Sequence, residues 1–376
     1  MSLSLPNAVP RFLPRASFPS LLSLLQRRGF QCIGPKEQDH TIVYAPVSGI
    51  EDFPSGVEVY QRPGTYTLSH SDTPRWFAWS NGPQALKPLL FSPREPLWTA
   101  ARTTDGAVTF VETAPAPRPL AVIGVRPCDL AALALHNEHF LEGECVDRQY
   151  GNRYRDLLLV AVNCTHPADT CFCASTGDGP SALHGFDLLC DELDAGFVIR
   201  AGNERGESIL EELKIGPADK EQLDAADEQT EFATTAQQRH ILSRNLQHSL
   251  FCNLDHPQWE QIADLCLACG NCTAVCPTCF CYRETDEPQL DGTSSVHLRE
   301  WDSCFSPGHS YIFGKTIRLE TRLRYRQWLT HKLGSWHEQY GRSGCVGCGR
   351  CITWCPVGID ITEQVAIICG NNAEHA

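Results

Sequence analysis

The chain has 376 residues, of which 42% are hydrophobic, and a formal net charge of −14 at pH 7. This length and apolar content allow about two or three packed domains and exclude wholesale disorder. The negative charge argues against nucleic acid as a partner, and the absence of any apolar run of about 18 residues argues against a membrane span. Twenty cysteines in so long a chain indicate metal ligands kept in a reducing compartment rather than disulfides, so we expect a cytoplasmic protein.

The first half of the sequence predicts an α/β domain. An apolar stretch over 20–28 predicts a helix that packs four leucines inward, although the acid-free N-terminus also has the composition of a targeting peptide. Gly34-Pro35 predicts a break in the chain, and residues 41–47 predict a strand. Short apolar runs at 119–125, 157–162 and 197–201 predict further strands, the first two of the buried type.

Cysteines follow both of these buried strands. Cys128 comes after the first, within Arg126-Pro127-Cys128-Asp129, and an apolar helical stretch follows it. Cys164 ends the second strand, and Cys171 and Cys173 come shortly after. Because strand ends in an α/β layer present residues at one edge, these four thiols predict a [4Fe–4S] site. Isolated core cysteines and a four-thiolate zinc site are the alternatives.

A polar region then leads to the second half of the chain. Residues 219–248 carry widely spaced apolar positions and predict one or two surface helices; these positions are Leu223, Ala226, Phe232, Ile241 and Leu242. We therefore expect an α/β domain over 1–215, a helical linker over 216–250 and a ferredoxin-like domain over 251–376.

Two cysteine runs of the form C-x2-C-x2-C-x3-C-P dominate the second half. Each predicts ligands of a [4Fe–4S] cluster, and the cysteine before proline usually ligates the other cluster of such a pair. We expect cluster 1 on Cys266, Cys269, Cys272 and Cys355 and cluster 2 on Cys345, Cys348, Cys351 and Cys276. Paired zinc sites are the alternative, but they usually show two C-x2-C pairs rather than four-cysteine runs.

The long insertion between the two runs predicts an α-helical version of a two-cluster domain. Basic and apolar side chains alternate at helical spacing over 318–332, which fits either a basic face near a cluster or partner, or a solvated helix surface. Helices are also expected over 259–265 and 357–368. Cys279, Cys281 and Cys304 flank the runs, and the sequence leaves open whether they replace ligands or pack beside the clusters.

Motifs for acid–base, nucleophilic or nucleotide chemistry are missing from the sequence. It contains no Ser/His/Asp grouping, no Walker loop and no G-x-G-x-x-G after a strand. No catalytic residue is predicted, and we expect an electron carrier. A structural zinc and iron scaffold, or an enzyme binding flavin in its N-terminal domain, are the competing hypotheses.

Several motifs together resemble one family, the iron–sulfur β subunit of cytosolic sulfhydrogenases, which are NAD(P)-linked [NiFe] hydrogenases. The same family includes the A subunit of anaerobic sulfite reductase. The resemblance rests on Gly124-Val125-Arg126-Pro127-Cys128-Asp129-Leu130, Asn163-Cys164-Thr165, Cys171-Phe172-Cys173, Cys276-Pro277-Thr278-Cys279-Phe280-Cys281, Trp301-Asp302-Ser303-Cys304 and the run from Cys345.

What this resemblance implies is an electron-transfer subunit with three [4Fe–4S] clusters. Its expected partners are a flavoprotein subunit that binds FAD and NAD(P)H and the small and large subunits of a [NiFe] hydrogenase. In the alternative assembly, the partners are sulfite reductase subunits.

Overall fold

The computed structural model describes residues 9–84, 86–114, 119–241 and 245–370. Leu242 of the predicted linker and the outermost parts of the predicted domains lie outside these ranges. Within the described ranges, no helix combines the length and the apolar character needed to cross a membrane.

The strands of the fold are numbered in chain order. They are β1 (Arg11–Pro14), β2 (Gln31–Gln38), β3 (Thr41–Pro46), β4 (Val57–Arg62), β5 (Thr65–His70), β6 (Arg94–Arg102), β7 (Val108–Glu112), β8 (Leu120–Val125), β9 (Leu157–Val162), β10 (Leu188–Leu193), β11 (Gly196–Ala201), β12 (Tyr282–Pro288), β13 (Ser294–Trp301), β14 (Tyr311–Ile312) and β15 (Lys315–Thr316).

The helices are numbered in the same way. They are α1 (Phe18–Arg27), α2 (Lys87–Leu90), α3 (Pro127–Leu141), α4 (Arg148–Arg155), α5 (Cys173–Thr176), α6 (Glu204–Leu213), α7 (Lys220–Thr235), α8 (Leu246–Cys252), α9 (Gln258–Leu265), α10 (Asn271–Ala274), α11 (Thr321–Thr330), α12 (Trp336–Tyr340), α13 (Arg350–Thr353) and α14 (Ile361–Cys369). A π-helical turn, His331–Ser335, joins α11 to α12.

A seven-stranded sheet forms the centre of the N-terminal half. Its strand order is β1-β11-β10-β9-β8-β2-β3. The four central strands β10, β9, β8 and β2 run parallel, and the outer pairings are antiparallel. This mixed α/β arrangement confirms the fold class predicted for this half.

The sheet is buried on both faces because side chains alternate along its strands. In β9, Leu158 and Val160 belong to a core shared with α1 and α6. Leu157 and Leu159 belong to a second core, shared with α3 and α4. The strands β8 and β9 are adjacent and parallel, so the segments that follow them leave the same edge of the sheet.

The insertion between the cysteine runs corrects one prediction, because it is not purely helical. Strands β12 and β13 form a hairpin within it, and β13 pairs with β6 from the N-terminal half. The resulting sheet has the order β12-β13-β6-β7. Buried charge supports this pairing, since Arg299 on β13 donates through Nε to Glu95 Oε1 on β6 at 3.0 Å. The sheet therefore takes strands from both sides of the predicted domain boundary.

The predicted break at Gly34-Pro35 is also wrong, because both residues lie inside β2. Proline cannot donate a backbone hydrogen bond, and it is tolerated in a strand where no ladder bond requires its nitrogen. Residues 31–33 of β2 pair with β8, whereas Pro35 lies beyond that pairing and faces only β3. The helix over 20–28 and the strands over 41–47, 119–125, 157–162 and 197–201 are confirmed to within three residues.

Candidate metal centre

A cavity opens beside the first cysteine run. The four cysteines predicted for cluster 1 all line it, together with Cys351 of the second run. Apolar and aromatic side chains, including Tyr325 and Trp328, complete much of the wall. The cavity brings Cys355 to the first run although it follows the second run in sequence.

A second cavity lies beside the second run. Its wall holds the four cysteines predicted for cluster 2: Cys276, Cys345, Cys348 and Cys351. The remaining wall is mostly apolar, and its one charged side chain among the described residues is Lys332. Each cavity therefore contains a complete set of four sulfur donors in largely apolar surroundings, and this donor set fits a thiolate-held [4Fe–4S] cluster.

The third predicted set is assembled at the edge of the seven-stranded sheet. Cys128, Cys171 and Cys173 are buried, and Cys164 is half-buried. Burial raises the pKa of Cys171 and that of Cys173, and the nearby Cys164 thiol raises both further. The amide of Asn81 donates to Cys128 Sγ at 3.4 Å. The cysteines that were grouped because they follow the two buried strands are therefore neighbours in the fold.

The third set lies directly against the second run. The backbone N–H of Phe172 donates to Gly347 O at 2.8 Å, and Cys171 Sγ lies 3.9 Å from Cys348 O. Gly347 has φ +62°, and a Cβ there would stand 2.6 Å from the Cys173 nitrogen. Glycine is required because no side chain fits between these two segments. With Cys351 lining both cavities, the second site therefore lies between the first site and the third.

Backbone N–H groups point at several of these sulfurs. The N–H of Ala268 lies 3.4 Å from Cys266 Sγ, that of Gly347 lies 3.4 Å from Cys345 Sγ and that of Ile359 lies 3.3 Å from Cys355 Sγ. Hydrogen bonds to ligand sulfur are a principal means of tuning the potential of a cluster. Among the residues described, no three His, Cys, Asp or Glu side chains converge closely enough to hold a single ion; the thiols of the two cysteine runs are spread around the two cavities instead.

Burial raises the pKa of several of these thiols. It raises the pKa of Cys345 and of Cys173 to about 12 and raises that of Cys351 well above its usual value. Ligation requires the thiolate. In this environment the thiolates are stabilised only when cationic metal or another positive charge offsets their own charge.

The remaining cysteines fall into distinct groups. Cys32 and Cys190 are buried in the core of the seven-stranded sheet. Cys279 neighbours Cys276; this neighbour lowers the pKa of Cys276, and Cys276 in turn raises the pKa of Cys279. Cys281 lies at the base of the β12–β13 hairpin, where its carbonyl accepts from the N–H of Asp302 at 2.9 Å. Cys304 packs against the apolar core around the cavities.

A buried ion pair joins the third set to the second run. Arg350 Nη1 donates to Asp129 Oδ1 at 2.7 Å, and Nη2 donates to Asp129 Oδ2 at 3.0 Å. Both side chains are only 1% exposed. Arg350 Nε also donates to Gly82 O at 2.9 Å. Sequence reasoning included both residues in motifs but did not predict the pair.

Lys332 is a second feature that sequence reasoning missed. It belongs to the basic stretch over 318–332, for which a surface or a cluster-facing role stayed open. Arg324 and Arg326 from that stretch donate to backbone carbonyls of Phe305 and Leu254, whereas Lys332 is 5% exposed and faces the second cavity. Burial lowers the pKa of Lys332, but the nearby thiols of Cys276, Cys279 and Cys345 together outweigh burial and raise it.

Comparison with known proteins gives the family. Residues 265–359 match the family model described as a 4Fe-4S dicluster domain, a range that contains both cysteine runs. The chain is 31% identical over 242 residues to the sulfhydrogenase 2 subunit beta of Pyrococcus furiosus, a match that covers 64% of this chain and 71% of that relative. The chain belongs to the sulfhydrogenase β-subunit family. No solved structure matches it.

Membership of the sulfhydrogenase β-subunit family confirms the resemblance stated from the sequence motifs. The second half of the chain contains the 4Fe-4S dicluster domain that the family comparison matches.

Proposed function

We propose that this chain relays single electrons through three [4Fe–4S] clusters. Cluster 1 is assigned to Cys266, Cys269, Cys272 and Cys355, cluster 2 to Cys345, Cys348, Cys351 and Cys276, and cluster 3 to Cys128, Cys164, Cys171 and Cys173. The observation that carries the proposal is the presence of two sulfur-lined cavities that share Cys351, with a third thiol group against the second cavity.

The residues of the chain supply position and environment. A bound cluster supplies a reversible one-electron centre. Largely apolar walls surround the sulfur donors, and the N–H groups of Ala268, Gly347 and Ile359 stabilise charge on sulfur. No proton donor or nucleophile is needed for such a transfer, so no residue is assigned a catalytic role.

The proposed assembly follows the family. A flavoprotein subunit binding FAD and NAD(P)H exchanges electrons with this chain, and a [NiFe] hydrogenase module stands at the other end, in the cytoplasm. We also retain the division into an α/β domain (1–215), a linker (216–250) and a dicluster domain (251–376). In the alternative, the chain is the A subunit of anaerobic sulfite reductase. That assembly differs in the chains that purify with the protein: a sirohaem subunit in place of the hydrogenase subunits.

Cluster 3 is tested by the double change Cys171→Ser/Cys173→Ser. Loss of two of four thiolates is expected to lower iron in the anaerobically purified chain from about twelve to about eight atoms. The matched control is Cys32→Ser/Cys190→Ser, which changes two buried cysteines of the sheet core outside all three sets. Iron that stays at the wild-type value in the first variant refutes the assignment of cluster 3.

A different measurement distinguishes an electron carrier from a structural scaffold that transfers no electrons. Dithionite is expected to bleach the broad visible absorbance of the intact chain and to produce spin signals of reduced clusters. Release of flavin on denaturing the purified chain would instead support an enzyme with its own cofactor.

A further inference from the structure

Lys332 places a positive charge in the wall of the second cavity. Its Nζ donates to Thr278 Oγ1 at 2.7 Å and to Gly344 O at 3.4 Å, and it lies 4.7 Å from the centre of the Trp336 ring. In the part of the chain that the structure describes, no carboxylate forms an ion pair with it. A buried ammonium without a counter-charge is costly, so the anionic partner must come from the cavity itself.

The sulfur donors of cluster 2 line the same cavity as Lys332. Thr278, which is fully buried, contacts Lys332 and lies 3.3 Å from Cys276 Sγ. Gly344, the second acceptor of Lys332, immediately precedes Cys345, and its N–H donates back to Lys332 O at 2.8 Å. Lys332 is thus held against ligands that come from both cysteine runs.

The backbone around Lys332 is unusual as well. Residues 331–335 form the π-helical turn between α11 and α12. Such turns are rare and occur frequently at functional sites. Here the turn carries Lys332 into the interior, although the preceding helix α11 directs arginines toward backbone carbonyls at its surface.

We propose that Lys332 is a positioning residue that raises the reduction potential of cluster 2, the middle of the three centres; this inference rests on the ligand sets of the proposed function. Reduction adds one electron to the site and makes it more negative by one charge. A fixed positive charge stabilises the reduced state more than the oxidised state, and low local polarity strengthens the effect. An electron arriving from cluster 1 or cluster 3 therefore meets a less uphill step at the middle centre than it would without Lys332.

The test is a potentiometric titration of Lys332→Met, followed by the spin signal of each reduced cluster. Cluster 2 is identified as the signal that disappears in Cys345→Ala. In Lys332→Met, iron content is expected to equal that of the wild type, and the ratio of reduced to oxidised cluster 2 at a fixed potential is expected to fall at least tenfold. For a one-electron couple this is a fall of 59 mV.

Two further variants isolate the charge. Lys332→Arg keeps a cation at the same place and is expected to restore most of the potential, whereas exposed Lys315→Met on β15 is expected to leave all three titrations unchanged. A full complement of iron with an unshifted cluster 2 overturns the inference while leaving the ligand sets intact. Should Lys332→Met lose iron, Lys332→Gln keeps a donor for Thr278 and Gly344; iron loss there too assigns Lys332 a structural role and overturns the inference.

Discussion

Replacing Cys355 by alanine is expected to remove the same cluster as replacing Cys266, although the two cysteines belong to different runs. Both line the first cavity, and loss of one thiolate from a four-thiolate site leaves a cluster without its full ligand set. Each variant is expected to lose about four iron atoms per chain. Spin signals of the anaerobic, dithionite-reduced variants identify which cluster is missing.

The same reasoning pairs Cys276 with Cys345, because both line the second cavity. Cys369→Ala is the matched control, since Cys369 ends α14 in the same half of the chain and lines neither cavity. The crossed assignment is contradicted if Cys355→Ala removes the signal that Cys345→Ala removes.

Replacing Arg350 by methionine is expected to destabilise the folded chain by about 3–5 kcal/mol, the usual cost of breaking a buried ion pair. The reason is the carboxylate of Asp129, which is 1% exposed and would be left in the interior without its ion-pair partner. The midpoint of denaturant unfolding, followed by tryptophan fluorescence under anaerobic conditions, measures the loss.

Two comparison variants distinguish the stability lost with the Asp129–Arg350 ion pair from a general loss of stability. Arg322→Met breaks partly exposed ion pairs with Glu260 and Glu320, for which a cost of no more than about 1 kcal/mol is expected. The double variant Asp129→Asn/Arg350→Met is expected to lose less than the sum of the single changes. An Arg350→Met chain as stable as the Arg322→Met chain would show that the pair contributes nothing to the junction between the third set and the second run.

The sequence pattern alone predicted the parts of the fold in which residues close together in the chain decide the structure. The buried strands β8 and β9 have continuous apolar sequences, and their adjacency follows from the way parallel strands are connected in α/β layers. Cys128 and Cys164 could therefore be placed at one edge from the sequence alone. The two cysteine runs were equally informative, because ligand spacing in such a run is set by the local turn.

Long-range pairing could not be predicted in the same way. Strand β12 has the sequence Tyr-Arg-Glu-Thr-Asp-Glu-Pro, with no apolar alternation to indicate a strand, and it is formed because its partner β13 pairs with β6 from a distant part of the chain. Lys332 and Arg350 are charged, and charged residues are normally predicted to lie at the surface. Their burial is explained by partners that only the fold reveals: the thiols of the second cavity for Lys332, and Asp129 for Arg350.

The most direct test of the account is the iron content of the anaerobically purified chain, determined on the same sample whose reduction by dithionite is followed by spin resonance. The account predicts about twelve iron atoms per chain and three reducible centres. A colourless, iron-free chain that still supports electron transfer in its native complex would contradict it.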